Sequence, residues 1–358
     1  MSDKTRPGNF FEDFAIGQAL VHATPRTVTE GEVSLYTALF GSRFAVQSSA
    51  PFAASVGLDR APVDSVLVFH LVFGKTVPDI SLNAIANLGY ADGRFGAPVF
   101  PGDTLRTEST VIGLKANRDG TTGVVYVRSR GVNQHDEMVV EFVRWVMVRK
   151  REAASAPPST VVPELPDAVP ASALHVPFRV HTGAYDLALA GSAHLWDDYA
   201  VGERIDHVDG MTIEEAEHML AARLYQNTAR VHFNQHVERE GRFGRRIVYG
   251  GHIISLARAL SFNGLGNAFA VVGINGGRHV NPTFAGDTIY AWSEVLDTQP
   301  FGQRADVGVL RLRTVALKDC AAASFPYKDP DGAYDPAVVL DFDYWVVMPR
   351  RGARSVAS

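Results

Sequence analysis

The chain has 358 residues, 46% of them hydrophobic and 20% charged, with a formal net charge of −5. That length suits two domains of ordinary size with a substantial core, and that balance belongs to globular chains rather than disordered ones. The slight acidity and the lack of a long basic run disfavour nucleic acid as a partner, and the single cysteine, Cys320, excludes an internal disulfide and suits a reducing cytoplasm.

The opening MSDKTRPGNFFEDF is charged with no apolar run behind it, so no signal peptide is expected. No stretch is apolar for long enough to cross a bilayer; the best, Val63 to Val72, is short and contains His70. His70 reads as a core histidine with one hydrogen bond. A first helix is expected after Thr27-Val-Thr29-Glu30, because a threonine hydroxyl accepts orphan amide hydrogens and carboxylates suit the positive helix end. Val33, Tyr36, Thr37 and Phe40 continue it at helical spacing. A longer apolar helix follows over roughly Ser65 to Lys75. Strands then take over: Thr104 to Ile112, Val124 to Arg128 and Val139 to Val148 are β-branched and partly alternating, with Gly, Asp and Pro turns between them.

Residues 151–173 contain Pro157, Pro158, Pro163, Pro166 and Pro170 and show no periodicity. This reads as a stiff, extended linker. The expected organisation is therefore an N-terminal half over 1–150, a linker over 151–175 and a C-terminal half over 176–358.

Beyond the linker the same order returns. FEDFAIG from Phe11 becomes WDDYAVG from Trp196, 185 residues on. Thr212-Ile-Glu214-Glu215 opens a helix continued by Ala216, Leu220, Leu224 and Tyr225. Gly251 to Leu260 is a second long apolar helix. GYADGRFGAPVFPGDT from Gly89 returns as GINGGRHVNPTFAGDT from Gly273, with Gly89 and Gly273, and Thr104 and Thr288, each 184 apart. Strands over Thr288 to Val295, Val307 to Thr314 and Val338 to Met348 answer the earlier three, and Phe142-Val-Arg-Trp145 answers Phe342-Asp-Tyr-Trp345. A repeat this long means two copies of one unit packed together. One long helix followed by antiparallel strands implies an α+β unit, a sheet wrapped on a helix.

The copies differ where a site would lie. Asn227 stands opposite Ser42 and His232 opposite Gln47, both 185 apart, so at this place only the second copy has a group that moves protons near neutral pH. Gly250 and Gly251 follow Tyr249 at the start of the second long helix, where the first copy has Asp64-Ser-Val. Glycines at a helix N-terminus let a ligand approach the backbone, and the exposed amides favour developing negative charge. Cys320 has no motif partner and is not expected to act as a nucleophile.

The order of helix, polar motif ending in histidine, glycine at a helix start and P-x-F-x-G-D-T before a strand resembles the MaoC-like, R-specific enoyl-CoA hydratase family. The strand entries are Pro98 to Thr104 and Pro282 to Thr288. Residues 9–44 are similar to the mesaconyl-CoA (2-methylfumaryl-CoA) hydratase branch. The resemblance implies an α+β tandem hot dog fold, two antiparallel sheets each wrapped around a long helix. It also implies a cytoplasmic homodimer acting on an acyl-CoA thioester, with no membrane partner, metal or cofactor. The implied reaction adds or removes water across an α,β-unsaturated acyl-CoA, mesaconyl-CoA to β-methylmalyl-CoA. Its catalytic pair would fall on Asn227 and His232, with asparagine where the family pattern has aspartate, and its oxyanion glycine on Gly251. A free carboxylate on the acyl group calls for a cation in the pocket. Gly250, His252, Arg230, Arg246 and Arg278 are candidates for substrate contact, although any one of these arginines by itself reads as a solvated surface charge. A thioesterase on the same fold and a non-catalytic acyl-CoA-binding protein remain alternatives.

Overall fold

The computed structural model describes residues 4–153, 155, 158–302 and 304–351. Pro157 of the linker and both extreme termini lie outside them. The first half runs β1 (Ala19–Thr27), α1 (Glu30–Phe40), α2 (Ser65–Ile80), β2 (Ala84–Phe95), β3 (Thr104–Ala116), β4 (Thr122–Val132) and β5 (Met138–Arg149). The second runs β6 (Arg204–Asp206), β7 (Met211–Thr212), α3 (Glu215–Leu224), α4 (Gly250–Leu260), β8 (Ala270–His279), β9 (Thr288–Pro300), β10 (Val307–Lys318) and β11 (Val338–Pro349). Short helical turns complete the connections.

The two expected half-sheets merge into one. The strand order is β1-β3-β4-β5-β2-β8-β11-β10-β9-β6, with β7 also on β9. The seam is the antiparallel pairing of β2 with β8, in which Tyr90 faces Gly277 and Gly93 faces Ile274. With the repeat offset of 184, Ile274 is the counterpart of Tyr90 and Gly277 that of Gly93. Each strand therefore meets its own repeat by the rule of a two-fold interface. The sheet wraps α2 and α4, both buried along almost their whole length, and the two helices share one core. Exposure along β3 alternates, as a strand with one face on a core requires.

The helix starts follow from local chemistry. Thr29 accepts the Glu32 amide and Glu32 accepts the Thr29 amide, a reciprocal cap on α1. The matching cap expected from Thr212 does not form. Thr212 belongs to β7 and its hydroxyl meets that of Thr288 at 2.9 Å; Glu214 stands at the N-cap of α3 without a side-chain cap.

One polar strut occurs twice. His22 lies 2.7 Å from the Asp79 carboxylate and 2.8 Å from the Ser109 hydroxyl, which touches Ser129. His207 likewise bridges the Asn263 carbonyl at 2.7 Å and the Ser293 hydroxyl at 2.8 Å. An Asp-His-Ser line invites a nucleophilic reading. Its repetition with a carbonyl replacing the acid assigns it instead to fastening each sheet edge.

The linker is docked. Val161 exchanges two backbone hydrogen bonds with Leu114 on β3. Val169 is buried, its amide bonded to Asn275 Oδ1 and its carbonyl to Trp345 Nε1. Leu174, Phe178 and Val180 then join a core containing Phe52 and Val56 of the first half and Phe269 and Val347 of the second.

Candidate active site

The polar motif is positioned by both halves. After α3 the chain turns at Gln226, whose φ of 53° lies in the left-handed region. Lys75 of α2 donates to Gln226 Oε1 at 2.5 Å. Gly74 permits the approach: a Cβ there would stand 1.6 Å from the Tyr225 carbonyl oxygen. Asn227 follows, buried, with Oδ1 accepting the Ala229 amide at 3.0 Å and its side chain beside the Tyr249 hydroxyl. That bond opens the short helix Arg230–Phe233, which carries His232.

His232 Nδ1 lies 3.0 Å from the Ile247 carbonyl. A carbonyl only accepts, so Nδ1 carries the hydrogen and Nε2 keeps its lone pair. Burial pushes the His232 imidazole down to about 4, so it is neutral at physiological pH. Four other imidazoles surround this region, held low chiefly by burial: His70, His218 and His252 at about 3, and His279 at about 4.

The start of α4 differs in kind from the start of α2. Asp64 caps α2, accepting the Val66 amide at 2.8 Å. Tyr249 offers α4 no side-chain cap, and its own amide donates to His218 Nε2 at 3.2 Å. Gly250 and Gly251 then form the first helical positions. Neither tolerates a Cβ in place: at Gly250 it would stand 2.3 Å from the His279 ring, and at Gly251 2.3 Å from Tyr249 and 2.6 Å from His70. An uncapped helix start with bare glycines can receive an anion.

A pocket of about 320 Å³ lies where these elements meet. The second half contributes Asn227, His232, Gly250 and His279; the first contributes Phe73, Asn87, Tyr90 and Arg144. The structure thus brings three of the sequence-derived candidates, Asn227, His232 and Gly250, to one cavity. Gly251 sits behind Gly250, against Tyr249 and His70, and does not line it. His252 is buried on the far side, edge-on to Phe40 at 5.0 Å. The candidate arginines also lie elsewhere. Arg230 is exposed and reaches Asn83 at 3.3 Å. Arg246 pairs with Glu215 and bonds the Phe233 carbonyl, strapping the motif loop to α3. Arg278 is exposed over the Tyr334 ring.

Sequence reasoning passed over two groups in the pocket. His279 replaces Phe95 in the longest repeated stretch, and Arg144 replaces Tyr344 in the closing one. Both were visible as mismatches between copies. Arg242 also reaches the pocket and is exposed at its rim.

Known proteins resemble this chain over nearly its whole length. A family model described as mesaconyl-CoA hydratase matches residues 2–325. A β-methylmalyl-CoA dehydratase of Chloroflexus aurantiacus is 72% identical over 98% of this chain and 100% of its own. A mesaconyl-CoA hydratase of Cereibacter sphaeroides is 59% identical over 97% and 100%. Among solved structures, a MaoC domain protein of Chloroflexus aurantiacus superposes with a TM-score of 0.96 at 72% identity, covering 98% of this chain and 100% of that one. A Mycobacterium tuberculosis protein described as a double hot dog fold gives 0.75 at 26% identity, over 96% and 99%.

Proposed function

The chain belongs to the mesaconyl-CoA hydratase family and is a hydro-lyase acting on mesaconyl-CoA, and from that premise we propose how its own groups divide the reaction. The thioester carbonyl withdraws electrons from the conjugated double bond and opens the β carbon to water. His232 Nε2 takes a proton from that water as the oxygen bonds to the β carbon. The π electrons move onto the thioester oxygen, giving an enolate. The uncapped start of α4, which meets the pocket at Gly250, stabilises that oxygen, an effect of the kind that contributes about 3 kcal/mol in known oxyanion sites. The imidazolium then returns its proton to the α carbon, and dehydration retraces the same steps.

Asn227 orients the water. A carboxamide exchanges no proton, so His232 serves as both base and acid. The observation that carries this reading is the His232 tautomer: Nδ1 bonded to Ile247, Nε2 left as an acceptor beside a helix start without a side-chain cap. We further propose that no metal or redox cofactor takes part, since addition of water changes no net oxidation state and the thioester supplies the activation. Arg242 at the rim suits a CoA phosphate. A homodimer fits the two exposed sheet edges at β1 and β6, and a cytoplasmic setting fits the single cysteine.

The deciding measurement follows mesaconyl-CoA by loss of its conjugated absorbance while a thiol reagent monitors free CoA. Hydration without thiol release is expected. Thiol release as the main event would replace this reading with thioester hydrolysis, and tight binding without either signal would make the chain a carrier.

A further inference from the structure

Arg144 is an unusual residue to find in a core. It lies on β5 of the half that lacks the polar motif, it is fully buried, and it lines the pocket. Its guanidinium stacks over the Phe73 ring at 4.3 Å. Nη2 donates to the Thr76 hydroxyl at 2.7 Å and the Ser81 hydroxyl at 3.2 Å, and Nη1 reaches Asn87 Oδ1 at 3.5 Å. All three acceptors are neutral. Nε has no hydrogen-bond partner among the described residues. Among the described residues no Asp or Glu forms an ion pair with it; the nearby groups that favour its charge are the hydroxyls of Tyr90 and Tyr249. Burial lowers it only to about 10, so it stays charged at neutral pH. A buried charge is normally paired, because its lost hydration must be replaced. A guanidinium offers five N–H donors in a planar fork that matches a carboxylate.

The repeat sharpens the case. The counterpart of Arg144 is Tyr344, since Phe142 and Trp145 match Phe342 and Trp345. Tyr344 shares its hydroxyl with Thr314 at 3.0 Å, and the space around it is closed, about 0 Å³. The equivalent closed space also holds a buried guanidinium, Arg258, but that one donates to the Ala268 carbonyl and has the Asp64 carboxylate nearby, whereas Arg144 lines open space with no acid beside it.

We propose that Arg144 receives the free carboxylate of the five-carbon acyl group, and so selects a dicarboxylic acyl thioester over a neutral one. This rests on the mesaconyl-CoA reading above and adds the residue that enforces it. It also places the expected pocket cation on the opposite half from the sequence-derived arginines. The half that lost the motif then reads one end of the acyl group while the other half performs the chemistry.

The test compares mesaconyl-CoA with 2-methylbut-2-enoyl-CoA, in which a methyl replaces the carboxylate, on the wild-type chain, Arg144→Gln and Arg144→Lys. The wild type should favour mesaconyl-CoA by at least about a thousandfold in kcat/KM, as buried polar sites do against analogues lacking their partner. Arg144→Gln should lose about a hundredfold or more on mesaconyl-CoA and change the analogue within about threefold, while Arg144→Lys recovers part of the loss. Affinities for both thioesters, measured by calorimetry in a His232→Ala background, should follow the same pattern even if the analogue is not turned over. Equal losses on both thioesters, with a lowered melting temperature, would show that Arg144 only braces Thr76 and Ser81 and would overturn the proposal. Unchanged discrimination in Arg144→Gln would do the same. A wild type that fails to hydrate mesaconyl-CoA would instead strike at the reaction itself.

Discussion

The two halves of this chain share a frame and differ at one joint. In both, a long helix wrapped by the sheet begins beside the end of a shorter helix. In the first half Asp64 fills the helix start with its own carboxylate. In the second, Tyr249 leaves the start without a side-chain cap and glycines hold the space in front of it. A capped helix start serves stability; an uncapped one can serve a ligand. The motif positions diverge in parallel. Gln47 donates to the Phe269 carbonyl at 2.6 Å and is committed to structure, whereas His232 keeps one nitrogen available to the pocket. At these matched positions the first copy commits its polar groups to backbone, and the second leaves them for substrate.

The hardest test of that contrast replaces the paired positions. His232→Ala should lower kcat by about 10²- to 10⁴-fold, the range for removing a general base, with the fold intact by circular dichroism. Gln47→Ala should keep turnover within about threefold and cost about 1 kcal/mol of stability, one hydrogen bond. Comparable kinetic losses from both would mean that the proton-transfer chemistry is not confined to the second half. Next in size is Gly250→Ala. The added methyl would push on His279 and displace the helix start, and a loss of about a hundredfold in kcat is expected. Ser65→Ala, at the matching position of α2, should leave kcat unchanged. Parallel steady-state assays on the two variants decide it.

Acid pH probes the same asymmetry. The folded-state pKa of His232 is lowered to about 4. The active neutral form is therefore full at pH 7 and is lost only as pH falls through about 4, so the acid limb of kcat/KM should lie well below the ordinary imidazole value. Stability follows a different window. His70, His207, His218, His232, His252 and His279 are all held below the unfolded value of 6.5, at about 3 to 4. The unfolded chain takes up protons that the folded chain refuses, so stability is whole above about pH 6.5 and declines as pH falls from there toward 4. Five of these six imidazoles lie in the second half. Hydrogen exchange at pH 5 should show that half loosening first. Uniform loosening would mean that the halves unfold as one unit. A kinetic acid limb near 6.5 would mean that His232 is more hydrated than its surroundings imply.

The sequence told much of this in advance, because a repeat supplies its own control. Twin frames, an asymmetric motif and a helix opening on glycines could all be read from matched positions. What stayed hidden depended on pairing across the chain. No periodicity reveals that β2 meets β8, since each strand is Gly-rich and its register is set by its own repeat. The arginines chosen near the motif were chosen by sequence distance. Arg144, 88 residues before His232, reaches the pocket because β5 lies beside β2, next to the seam between the half-sheets. The mismatches at Arg144 and His279 were legible, but their meaning depended on knowing which space was open. Thr212 misled for a simpler reason: a threonine before carboxylates also suits an edge strand, and there its hydroxyl found Thr288.

The smallest expected effect is the most specific to the comparison. Asp64 is buried at the start of α2, where burial raises its pKa and Arg258 of α4 together with the Val66 and Leu67 amides lowers it. If this acid is only a cap, Asp64→Asn keeps an acceptor for the Val66 amide and should cost less than about 1 kcal/mol, while Asp64→Ala should cost about 1 to 2 kcal/mol, with kcat on mesaconyl-CoA unchanged in both. Chemical denaturation and steady-state assays on the two variants measure this directly. The ordering matters more than the size. A kinetic penalty in Asp64→Ala without a matching loss of stability would mean that the first helix start communicates with the second across their shared core, and the division between a structural half and a reacting half would have to be redrawn.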